Sequence, residues 1–154
     1  MSVITRRPEN RLSKTLFAPG GKSIEKALDD AAASLEEVRA ERMDELKAKL
    51  AEIQALGRRC EKNAKLSDIR SLYGLSSDVQ GIAGVYGMPE LGQAAYSLCE
   101  LLDNMGARKV WNWPAVQVHL NGLLLLADPA NAPPEARKKV VEGLRQVCHR
   151  VSTR

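Results

Sequence analysis

The chain has 154 residues and a net charge of +4, with 44% hydrophobic and 27% charged side chains, the balance of a globular chain able to bury its own core. No apolar run approaches the roughly 18 residues needed to cross a bilayer, and residues 1–8 lack the apolar centre of a secretory signal, so a cytoplasmic protein is the default. Cys60, Cys99 and Cys148 are odd in number and far apart, which argues against a disulfide scaffold or a zinc motif, and no P-loop, GxGxxG, GxSxG or HExxH is present.

Residues 1–22 hold Pro8, Pro19, Gly20 and Gly21 without apolar periodicity, and read as a mobile tail ending in a linker. The tail is basic, with Arg6, Arg7, Arg11, Lys14 and Lys22 against Glu9. Residues 23–57 carry nine acids against five bases. The far end is basic again through Arg137, Lys138, Lys139, Arg145, Arg150 and Arg154. The bases are not interleaved with aromatics, so solvated helix faces explain them better than a nucleic-acid surface.

A long helix is expected from the N-cap Ser23 to about Gly57 or a little beyond. Ile24, Leu28, Ala31, Leu35 and Val38 follow steps of four, three, four and three. Met43, Leu46, Leu50, Ile53 and Leu56 form a second stripe. The phase slips across residues 39–42, so either the helix breaks there or one half carries an apolar stripe beyond the bundle. Such a stripe predicts a homodimer through this helix.

The second helix is expected over residues 68–85, after Ser67, with Ile69, Leu72, Tyr73, Ser76, Val79 and Ala83 buried. Gly87 ends it and Pro89 opens the third at its first position. That helix buries Leu91, Ala94, Ala95, Leu98, Leu101, Leu102 and Met105 and is closed by Gly106. The fourth starts at Pro114, carries Val116, Leu120, Leu123, Leu124 and Ala127, and stops at Asp128-Pro129. The fifth opens at Pro133-Pro134-Glu135 and turns Val140, Leu144, Val147 and Val151 inward. Nothing reads as a strand. Short loops predict an all-α, antiparallel up-down four-helix bundle preceded by the long helix.

The second helix contains Gly74, Gly81 and Gly84, each costing about 1 kcal/mol relative to alanine in a helix interior. Gly74, Ser77, Gly81 and Gly84 fall on one side of the helix, a face stripped of side chains. A partner needing close access explains that better than packing within the bundle, because the apolar stripe already supplies the core contacts.

The stretch Ser77-Asp78-Val79-Gln80-Gly81-Ile82-Ala83-Gly84-Val85-Tyr86-Gly87-Met88-Pro89-Glu90-Leu91 resembles the signature of the histidine phosphotransfer (Hpt) domain, a pattern like H-x-L-K-G-x-A-x-x-x-G-L-x-x-L. Gly81, Ala83, Gly87 and Leu91 stand where that pattern has its glycine, small residue, second glycine and leucine. Helix number and loop lengths extend the likeness to about residues 66–152. The resemblance implies a bundle that docks a receiver domain of a response regulator, or a histidine kinase. It also implies that transfer chemistry is lost: the phosphoacceptor histidine falls on Ser77 and its companion lysine on Gln80. An imidazole nitrogen forms a phosphoramidate that an aspartate can take back, whereas a serine phosphate is a stable ester. The chain is therefore expected to be a binding protein without catalysis, cofactor or metal, docking through Arg70, Gly74, Ser77, Asp78, Gln80, Gly81, Gly84 and Val85.

Two alternatives stay open in the residues. His119, flanking the apolar stripe of the fourth helix, is a second candidate phosphoacceptor, although a partly buried structural histidine suits its position better. A structural adapter is the other, dimeric through the first helix, with the basic tail held by an acidic partner or nucleic acid. His149 sits near the end of the fifth helix, where a cation suits the dipole. Trp111 and Trp113 read as packing anchors, and the three cysteines as buried hydrophobes.

Overall fold

The computed structural model describes residues 23–153. The basic tail expected over residues 1–22, and with it the adapter reading that depends on it, lies outside the described residues. Among the described residues the structure is all-helical: α1 (Ile24–Lys62), α2 (Leu66–Val85), α3 (Pro89–Arg108), α4 (Trp113–Ala127) and α5 (Pro134–Ser152), with a short 3₁₀ turn Pro129–Asn131 before α5. No described helix is long and apolar enough to cross a membrane. The chain divides into two compact units, Met1–Val38 and Arg39–Arg154.

In the first unit, Ser23 caps α1 as expected, its Oγ accepting the Lys26 N–H at 3.2 Å. The stripe of Ile24, Leu28, Leu35 and Val38 is exposed. α1 does not break at residues 39–42.

The second unit holds the core. It begins on α1 with Leu46, Leu50, Ile53, Leu56 and Cys60, all buried. The helix runs a little beyond Gly57, to Lys62, and Gly57 inside it serves a close approach: a Cβ there would collide with Leu120 Cδ1 of α4. Beside it the buried Gln54 donates from Nε2 to the Leu120 carbonyl at 2.9 Å. Arg59 grips Asp68 at the start of α2 through two hydrogen bonds of 3.0 and 2.8 Å, which holds the Asp68 carboxyl below its ordinary range.

α2 starts at Leu66, two residues before its expected start, with the extended Lys65 as N-cap and no side-chain cap. Ile69, Leu72, Ser76, Val79 and Ala83 are buried, while Tyr73 is partly exposed. Gly87, at φ +67°, terminates α2 in a Schellman turn, the Met88 N–H reaching the Ala83 carbonyl at 2.9 Å. Pro89 opens α3 as expected.

α3 continues past Gly106, contrary to the expected closure. The left-handed residue is Lys109, at φ 56°, and the Val110 N–H returns to the Met105 carbonyl at 3.2 Å. Gly106 instead faces the Trp111 ring, 3.9 Å from where its Cβ would be. Asn112 caps α4, accepting the Ala115 N–H at 3.1 Å. In α4, Leu126 and His119 are fully buried and Leu124, expected inside, is exposed. In α5 the inward set is Val141, Leu144 and Cys148, with Val140, Val147 and Val151 partly buried around it. Arg108 closes the end of α5 by donating to the Val151 and Ser152 carbonyls at 2.9 and 2.7 Å. α2 packs on α3, α3 on α4 and α5, and α4 on α5.

Candidate functional site

The helical glycines fall into two groups. Gly57 and Gly122 are packing glycines: a Cβ at Gly122 would lie 2.9 Å from Leu144 Cδ1. Gly74, Gly81 and Gly84 of α2 meet nothing within 4 Å of a notional Cβ. Among the described residues no neighbouring helix explains them. Arg70, Ser77, Asp78, Gln80 and Val85 are exposed with them, and Val85 keeps 78% of its surface in water.

The structure does not gather these residues into one flat face. Ser77, Asp78, Gly81 and Val85 line a shallow groove of about 500 Å³ whose other wall is α1, through Arg42, Glu45 and Lys49. Ile82 and Tyr86 complete its apolar end. Gln80 and Gly84 turn to a smaller hollow beside Pro89, Gly92, Gln93 and Tyr96 at the start of α3. Arg70 lies in a third depression, with Tyr73 of α2 and Lys109 and Trp111 at the end of α3. The eight-residue surface read from the sequence is therefore a ridge along α2 with a groove on either side.

The α1 wall was not foreseen. Lys49 Nζ stands 2.8 Å from Asp78 Oδ2 and 3.6 Å from Glu45 Oε1, and Glu45 also pairs with Arg42. Charges thus alternate along the groove as Arg42, Glu45, Lys49, Asp78. The hydrogen bond from Lys49 to Asp78, followed by their mutual attraction, raises the lysine above its ordinary pKa. The hydrogen bond from Arg42 lowers Glu45. Asp78 is consequently tied to α1 as well as placed beside Ser77. No local pattern announces a pair 29 residues apart in sequence.

His119 is fully buried. Its Nδ1 lies 2.9 Å from the Ala115 carbonyl, an acceptor only, so Nδ1 carries the proton. Nε2 then accepts from the Ser97 hydroxyl at 3.0 Å. Burial depresses its pKa and keeps the ring neutral. Both nitrogens are occupied and sealed from solvent, so a phosphoryl donor has no approach to this ring, and the candidate phosphoacceptor of the sequence reading is a structural core histidine. His149 is exposed on α5.

Cys60, Cys99 and Cys148 are buried and unpaired. Desolvation raises all three thiols, Cys99 to about 11, so none presents a thiolate near neutrality. Trp111 and Trp113 stack at 5.6 Å with their planes 7° apart, as packing anchors would. Among the described residues no cluster of His, Cys, Asp or Glu is arranged to hold a metal.

The fold and the groove together define an all-helical protein with an open, glycine-marked surface on α2 and a charged wall on α1. No family model matches the chain, and no curated protein or solved structure is significantly similar to it.

Proposed function

We propose that this chain is a non-catalytic, Hpt-like binding protein of two-component phosphorelay signalling, working in the cytoplasm without cofactor. In this reading α2 to α5 form an antiparallel up-down four-helix bundle preceded by the long α1. The ridge around Ser77 docks a response-regulator receiver domain or a histidine kinase. The observation that carries it is the trio Gly74, Gly81 and Gly84. Each weakens α2 by about 1 kcal/mol relative to alanine, and none is offset by a contact among the described residues. A partner surface that must approach the α2 backbone closely accounts for that cost.

Binding rather than transfer follows from the chemistry at the ridge. Ser77 offers a hydroxyl where the resemblance has an imidazole, and Gln80 an amide where it has an ammonium. The cations near Ser77 come from α1 and are already paired with Glu45 and Asp78. Such a groove supplies shape and matched polar contacts to a docking protein, and it would compete with a true phosphotransfer partner for the same receiver.

The test is titration of a panel of receiver domains against the full chain. Gly81→Arg, which fills the groove without touching the core, is expected to weaken a binding receiver at least tenfold while the melting temperature stays within a few degrees. Gly143→Arg, at an open glycine of α5, serves as the control and leaves affinity unchanged. Incubation with a phosphorylated receiver is expected to leave no acid-labile label on the chain. A receiver held equally well by Gly81→Arg would remove the ridge from the account, and label on the chain would remove the non-catalytic reading.

A further inference from the structure

Between the start of α2 and the end of α3 lies a hollow of about 650 Å³, within the size range of small-molecule sites. Its lining is mainly apolar. Ile69 and Leu102 are buried, Tyr73 and Trp111 bring aromatic rings, and Leu66 keeps 60% of its surface in water. Gly106 lines the hollow without a side chain. The nearest atom to a Cβ there would be Trp111 Cη2 at 3.9 Å, an ordinary contact, so packing does not require the glycine. Its bareness leaves room for a guest beside the Trp111 ring.

Two cations from different helices, Arg70 and Lys109, share this lining. Neither side chain has an ion pair or hydrogen bond among the described residues. The one acid of the lining, Asp103, stands by the Tyr73 hydroxyl, whose pKa its charge raises. The hollow therefore carries a net positive charge. Lys109 is also the one non-glycine residue with a positive φ, 56°, among the described residues. That conformation strains a lysine, and a strained residue beside a cavity is a mark of function. The hollow on the other side of the α3 end, about 580 Å³, differs: its Arg108 is already held by the Val151 and Ser152 carbonyls. We propose that the hollow between α2 and α3 binds a small aromatic carboxylate, its ring against Tyr73 and Trp111 and its carboxylate between Arg70 and Lys109. The site shares Arg70 with the ridge on α2 but does not rest on receiver docking, since Ser77 and Gly81 line a different groove.

The experiment is titration of the full, isotope-labelled chain with 2-naphthoate, followed by amide chemical shifts. Saturable binding with a Kd at or below about 1 mM is expected for so small a probe, with the shifts centred on residues 66–73 and 102–111. The cation 2-naphthylmethylammonium, with the same ring, is expected to bind about tenfold more weakly. Arg70→Gln and Lys109→Gly are each expected to weaken 2-naphthoate by about fivefold. Lys109→Gly relieves the backbone strain, so its loss of affinity comes with a higher melting temperature and is not a loss of fold. Asp103→Asn, which removes the opposing charge, is expected to tighten binding. Lys139→Gln, at an exposed cation of α5, leaves it unchanged and separates the site from general attraction to a basic chain. No saturable shift would overturn the proposal. Equal binding of the ammonium probe would overturn the choice of an anion. Affinity indifferent to both Arg70→Gln and Lys109→Gly, or shifts centred on Val118 and Val147 of the neighbouring hollow, would overturn the site.

Discussion

At the scale of single residues, identical glycines do opposite work. Gly57 sits where a methyl group would meet the fully buried Leu120, so Gly57→Ala overpacks the contact between α1 and α4 and is expected to destabilise the protein by about 1–3 kcal/mol. Gly74, Gly81 and Gly84 stand in open space. Alanine at each is expected to stabilise by about 0.4–1 kcal/mol through helix propensity and a less free unfolded chain. Thermal melts of the four variants separate the two classes, and a fall in stability at any of the α2 positions would mean that its glycine serves the fold. His119 adds a pH dependence of known sign. Its folded pKa is depressed below the ordinary 6.5, so the unfolded chain takes up a proton first as pH falls. The stability it contributes is complete above about pH 6.5 and is lost as pH drops through that value towards the folded one. Each unit of depression is worth about 1.4 kcal/mol. The melting temperature is therefore expected to decline between pH 7 and pH 5. His119→Gln, less stable throughout, is expected to show a flatter profile over that range.

At the scale of elements, helix ends are set by local chemistry, and some of that chemistry is invisible without neighbours. The Ser23 cap and the Gly87-Met88-Pro89 junction were readable, since a hydroxyl at an N-cap, a left-handed glycine and a proline at a first turn each have one common use. The end of α3 was not. A glycine at position 106 is the obvious stop, but it lies against Trp111, and the left-handed position falls on Lys109. A lysine in that conformation carries a Cβ clash that glycine lacks. Lys109→Gly is accordingly expected to stabilise the protein by about 0.5–1 kcal/mol, measured as a higher urea midpoint at unchanged slope. Ser67 misled for a related reason: the start of α2 is anchored by the ion pair of Arg59 with Asp68, a contact with α1 that the α2 sequence does not contain.

At the scale of the whole molecule, every buried side chain of α1 lies at or beyond Leu46, inside the unit Arg39–Arg154. Removal of residues 1–38 is therefore expected to leave a cooperatively melting, helical protein, followed by circular dichroism, since the apolar burial that dominates folding stays in the part that remains. Loss of the cooperative melt would show that the first unit supports the second. The helical class, the stripes of α2 and α3 and the unusual glycines of α2 were legible from the chain alone, because helical periodicity and glycine's cost are properties of neighbouring residues along one element. The α1 wall of the groove, with Lys49 reaching Asp78, and the sealing of His119 by Ser97 and Ala115 were not. They depend on which helix lies beside which, and on contacts between residues far apart in the chain that no short window encodes.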